Sequence, residues 1–134
     1  MKTALLLIAH GSRNADANDD LHALANELRQ AGAYALVEPA FLELAEPTID
    51  MAASACVTGG AVRVILLPYF LSAGVHVRRD LEAYRERLAK THAPVTFVLA
   101  APLGPHRLLA ELVLERACEA MGHESSCGDA ARER

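Results

Sequence analysis

Three residues whose types suit metal or proton chemistry stand at comparable points of the chain: His10 in "IAHGS", Glu43 in "FLELAEP" and His76 in "FLSAGVHVRRD". Each comes soon after an apolar run. Two imidazoles and one carboxylate suit a borderline divalent ion such as Co²⁺, Fe²⁺, Ni²⁺ or Zn²⁺. They equally suit proton transfer near neutral pH. His10 alone would be read as a turn residue closing a strand. Its conjunction with Glu43 and His76 makes a candidate site. Arg13, Arg78 and Arg79 flank the two histidines. Clustered arginines match carboxylate recognition, although a solvated helix start would account for them as well.

The elements that must position these residues follow from hydrophobic periodicity. Apolar runs occupy residues 3–9, 34–42, 61–70 and 95–100. A helical pattern follows each of them, over 14–31, 47–57, 77–90 and 105–121, with Pro47 and Pro105 opening the second and fourth. Strand and helix alternating four times predict a single α/β domain, a four-stranded parallel sheet with helices on both faces, built from flavodoxin-like βα units. Its expected extent is residues 1–121, with a flexible polar tail over 122–134. Pro39 and Pro68 fall inside strand runs and are expected at a bulge or a strand end. Ligands of such sheets bind outside the carboxyl ends of the strands. His10, Glu43 and His76 fall at the first three of those ends, and His106 falls slightly beyond the fourth.

The chain has 134 residues, 52% of them hydrophobic, and a formal net charge of −4. That size suits one domain, and the mild acidity argues against nucleic acid as a partner. No apolar run approaches the roughly 20 residues of a membrane span. The N-terminal "MKTALLLIAHGS" lacks a cleavage pattern and is expected to be a core strand of a cytoplasmic protein. Cys56, Cys118 and Cys127 have no CxxC spacing. Cys56 and Cys118 are expected to pack as small apolar groups, and Cys127 lies in the tail.

Sharper motifs are absent. "AHGSR" lacks the glycine spacing of a phosphate loop, "VTGGAVR" is not a dinucleotide fingerprint, and Ser12 does not sit in G-x-S-x-G. A phosphohistidine enzyme would carry an arginine where Ala9 stands. A receiver domain would need an acidic cluster after the first strand. His22, His92 and His123 are assigned no chemistry.

The segments "LLLIAHGSRN", "VEPAFLELAEPTI" and "VILLPYFLSAGVHVRRDL" resemble the short-form sirohydrochlorin chelatases of the CbiX/SirB type, in order and spacing, from about residue 3 to about 115. The resemblance implies ATP-independent insertion of Co²⁺ or Fe²⁺ into sirohydrochlorin, on the way to cobalamin or sirohaem. It implies no organic cofactor, and a homodimer. In similar proteins the two histidines matching His10 and His76 face each other across a cleft, and Glu43 is the third polar group. The macrocycle is flat and carboxylate-rimmed. Leu42, Tyr69, Phe70 and Leu71 are expected as its apolar wall, with Ser12, Arg13, Arg78 and Arg79 around its rim. A metal or tetrapyrrole carrier without turnover is the alternative that shares these residues.

Overall fold

The protein was analysed as a computed structural model that describes residues 1–122. Residues 123–134, with His123, Cys127 and nearly all of the expected tail, lie outside the described residues. Met1–Pro102 form one unit, and the chain from Leu103 onward belongs to a second.

The first unit runs β1 (Lys2–Ala9), α1 (Ala15–Ala31), β2 (Leu36–Phe41), α2 (Ile49–Thr58), β3 (Ala61–Pro68), α3 (Val75–Thr91) and β4 (Thr96–Leu99). All strands pair in parallel, in the order β2-β1-β3-β4. The strand period of two divides β1 between two cores. Ala4, Leu6 and Ile8 join residues of α2 and α3 on one face. Leu5 and Leu7 join Leu21 and Ala25 of α1 on the other. Helices therefore cover both faces, as the alternating pattern predicts. The connection from β1 moves to one side of the sheet and that from β3 to the other. Strands β1 and β3 thus flank the switch point, where open sheets of this kind place their ligand crevice.

Local chemistry set several boundaries differently from the apolar pattern. Pro39 sits inside β2, opposite Leu7, rather than at a bulge or end. β2 is an edge strand. The Phe41 N–H points off the sheet to the Pro47 carbonyl at 2.9 Å. Pro39, two residues earlier, directs its nitrogen to the same open side, where no ladder bond is lost. Pro68 does end its strand. Pro47 does not open α2: the Thr48 hydroxyl accepts from the Met51 N–H, and the helix begins at Ile49. A hydroxyl that satisfies an orphan N–H is a stronger start than a proline. Helix α3 begins at Val75, earlier than the predicted residue 77, so His76 and Arg78 lie in its first turn and Arg79 directly follows it.

Two polar contacts tie the layers together. The Arg29 Nε donates to the Val37 carbonyl at 2.8 Å, joining the end of α1 to β2. Arg87 makes a paired contact with the Asp50 carboxylate, at 2.6 and 3.1 Å, between α3 and α2. Both side chains are half exposed, so solvent screening leaves at most about 1 kcal/mol from that pair.

In the second unit, α4 (Arg107–Met121) is capped by His106, whose Nδ1 accepts from the Leu108 N–H at 3.1 Å. The cap, not Pro105, opens the helix. Cys118 is buried, 4% exposed, in keeping with its expected packing. Leu108, Leu112, Val113 and Leu114 of α4 are exposed.

Candidate functional site

The sheet's hydrogen bonding continues past the strand ends and stitches three exits together. The Ala9 carbonyl accepts from Leu42, the His10 carbonyl from Glu43 at 3.0 Å, and the Ile8 carbonyl from Tyr69 at 2.7 Å. His10 and Glu43 are therefore neighbours by backbone pairing, whatever their side chains do. Gly11 makes this approach possible. Its φ is +96°, and a Cβ there would lie 1.8 Å from the Glu43 carbonyl oxygen. Only glycine fits that turn.

The turn is held from the helix side as well. The Asn18 side chain accepts from the Ser12 N–H at 2.9 Å and donates to the Ser12 carbonyl at 2.7 Å. The Ser12 hydroxyl accepts from the Asn14 N–H, and Asn14 in turn caps α1. Ser12 thus has a local turn-forming bond in addition to its expected place at the rim. Asn18 escaped the sequence reading, since an asparagine inside a helical pattern looks solvent-facing.

His10, Glu43 and His76 are all exposed at the carboxyl end of the sheet. The His10 ring stacks on Phe70, with centroids 4.4 Å apart and planes inclined by 25°. Phe70 is only 7% exposed and belongs to the core. It therefore does not form the expected open wall: its face is occupied by His10. Tyr69 and Leu71 remain 42% and 68% exposed on either side, and Leu42 is half-buried against the core. His76 follows β3, in the first turn of α3. Among the described residues no three His, Cys, Asp or Glu side chains converge to hold a metal ion. The expected trio is thus not assembled into a cage. His10 and Glu43 are backbone-paired beyond β1 and β2, and His76 lies beyond β3.

Arg13, Arg78 and Arg79 are exposed, and no ion pair neutralises them among the described residues. The α3 terminus has glycine at its cap, no side-chain cap bond and no acidic residue in its first turn. Two arginines at the positive end of a helix are locally unfavourable. An anion at that place would relieve both the helix end and the guanidinium groups.

Leu44 was missed by the sequence reading. It follows Glu43 with φ at +66° and is 55% exposed. A leucine held in left-handed backbone while facing water costs about 1–2 kcal/mol, and such outliers gather at functional sites. Its only sequence mark was adjacency to Glu43.

Other polar candidates find ordinary roles. His92 ends α3, His106 caps α4, and exposed His22 lies 5.8 Å from the Phe41 ring. Burial, with a smaller push from Glu38, raises the Cys56 thiol to about 12, so it is no nucleophile.

The chain is similar to several known proteins. The chain is 37% identical over 125 residues to the chloroplastic sirohydrochlorin ferrochelatase of Arabidopsis thaliana, covering 93% of this chain and 56% of that one. It is 32% identical to a sirohydrochlorin cobaltochelatase of Methanococcoides burtonii, covering 90% of this chain and 98% of that one. The sirohydrochlorin chelatase SirB of Bacillus subtilis subspecies spizizenii, solved in complex with cobalt, superposes with a TM-score of 0.82 at 28% identity, over 89% of this chain and 51% of that one. The chain therefore spans about half the length of the plant and Bacillus proteins and nearly all of the archaeal one. The sequence model of the CbiX family matches residues 4–120, and the chain belongs to that family.

Proposed function

We propose that this protein inserts a divalent metal, Fe²⁺ or Co²⁺, into sirohydrochlorin without ATP, in cobalamin or sirohaem biosynthesis. What supports the reading is the backbone pairing of Glu43 with His10 at the exits of β2 and β1, with His76 in the first turn of α3 after the neighbouring strand β3. The relatives' printed activities, ferrochelatase and cobaltochelatase, supply the substrate class.

Insertion removes two pyrrole N–H protons and part of the ion's water shell. In this reading His10 and His76 hold the incoming ion weakly and accept protons, and Glu43 passes protons outward. An open crevice suits the task, because a closed set of ligands would retain the ion. Exposed Tyr69 and Leu71, with Leu42, seat the flat face of the macrocycle. Arg13, Arg78 and Arg79 bind its carboxylates, with Ser12 beside them. Ni²⁺ satisfies the same donor set, and no group of the site calls for an organic cofactor.

The chelatase domain is taken to be residues 1–121, acting in the cytoplasm as a homodimer. No helix of the described residues is long and apolar enough to cross a membrane. The dimer is supported by the lengths: one copy of this chain matches 56% of the plant protein and 51% of the Bacillus one. The exposed leucines and valine of α4 supply apolar surface for such contact. Light scattering of the purified protein tests it, and a monomer at all concentrations removes it.

The function is tested by mixing protein, sirohydrochlorin and Co²⁺ or Fe²⁺ and following tetrapyrrole absorbance. A rate well above the spontaneous one is expected. Binding of both substrates without such a rate would make the protein a carrier instead.

A further inference from the structure

An imidazole that meets a metal is ordinarily held in place by a hydrogen bond from its other ring nitrogen to a carboxylate or carbonyl. His10 has no such bond among the described residues. The ring contact it makes there is with the face of Phe70, centroids 4.4 Å apart and planes inclined by 25°. Phe70 is itself fixed by the core, packed with Ile8, Leu66 and Leu81 in the cluster under α2 and α3. An exposed ring thus lies against a buried one.

We propose that Phe70 is the positioning residue for His10: its ring, not a hydrogen bond, sets the plane of the imidazole at the mouth of the crevice. Stacking restricts the tilt of the imidazole but occupies neither nitrogen. One nitrogen meets the ion while the other stays open to water, so a proton leaves without breaking a protein contact. A carboxylate partner would make His10 a stronger, stickier ligand. An aromatic partner orients it and adds no negative charge, as suits an ion that must be passed on. The argument rests on His10 acting in metal insertion, and its test separates the two claims.

Full-length wild type, Phe70→Leu and Phe70→Tyr are compared. Leucine keeps apolar bulk but has no ring face; tyrosine restores the face. The first readout needs neither metal nor substrate. In the proton NMR spectrum, the His10 ring C–H signals, assigned by their absence from His10→Ala, are expected upfield in wild type and Phe70→Tyr. In Phe70→Leu they return to the position of an unstacked histidine. The second readout is turnover: Phe70→Leu is expected to lose about 10–100-fold in kcat with KM for sirohydrochlorin within about twofold, and Phe70→Tyr to regain most of it. Unstacked His10 signals in wild type overturn the proposal even if Phe70→Leu does not fold. So does wild-type kcat in folded Phe70→Leu, or equal loss in Phe70→Leu and Phe70→Tyr. Full activity of His10→Ala sinks the functional reading itself, whereas an inactive His10→Ala beside a fully active Phe70→Leu sinks only the role of Phe70.

Discussion

The Glu43 N–H donates to the His10 carbonyl at 3.0 Å, one residue beyond the end of β1 and two beyond the end of β2. The parallel ladder simply continues past the strands, and it delivers a carboxylate and an imidazole to adjacent places. Their proximity is a property of the main chain, so substituting either side chain leaves the other where it was.

Gly11→Ala attacks that arrangement directly. The added methyl would meet the Glu43 carbonyl oxygen at 1.8 Å, in backbone that already disfavours a side chain. A loss of about 2–4 kcal/mol is expected, together with a shift of Glu43 away from His10. Thermal unfolding and turnover on one preparation check this. A variant of unchanged stability and activity would mean the turn is far looser than described.

Glu43→Gln separates charge from fold. Glu43 is exposed, so stability should stay within about 0.5 kcal/mol of wild type. Loss of the proton relay should lower kcat about a hundredfold, with little change in KM. Steady-state kinetics decide it, and a change confined to KM would reassign Glu43 to substrate binding.

The three strand exits and the alternation that aligns them were legible in the sequence, because Leu5, Leu6 and Leu7 can all be buried only in a strand covered on both faces. Pro39 misled because the edge position of β2 depends on the order of strands, which local periodicity does not encode. The start of α2 was displaced by a single hydroxyl, Thr48, competing with Pro47 for the same terminus. Phe70 was read as pocket wall because its aromatic type was visible and its stacking on His10 was not. That contact joins residues sixty positions apart and depends on rotamers. The same limit hid Leu44, whose left-handed backbone has no residue-type mark, and the lack of a converging three-ligand set.

Replacing Arg78 and Arg79 together by glutamine should move stability and function in opposite directions. Removing two positive charges near the N-terminus of α3 should stabilise the helix by about a few tenths of a kcal/mol. KM for the carboxylate-rimmed substrate should rise several-fold, and its salt dependence should weaken. Kinetics across a salt series alongside thermal unfolding test both halves, and an unchanged KM would return these arginines to the solvated surface.

Cys56 makes a pH-dependent contribution of known sign. Its thiol is raised from an ordinary 9.0 to about 12 by burial. Above pH 9 the unfolded chain releases this proton and the folded chain keeps it, so stability is full below 9 and falls toward 12. The slope is at most about 1.4 kcal/mol per pH unit. Denaturant titrations of wild type and Cys56→Ala should show a shallower alkaline decline in the variant, and parallel declines would contradict the assignment.

The central claim is that two imidazoles facing each other across the β1/β3 crevice deliver the metal. Its most direct test is the initial rate of Co²⁺ insertion into sirohydrochlorin by wild type, His10→Ala and His76→Ala, with His22→Ala as a surface control. The account predicts that His10→Ala and His76→Ala each fall close to the spontaneous rate while remaining folded, and that His22→Ala matches wild type. Wild-type rates in both His10→Ala and His76→Ala would contradict it.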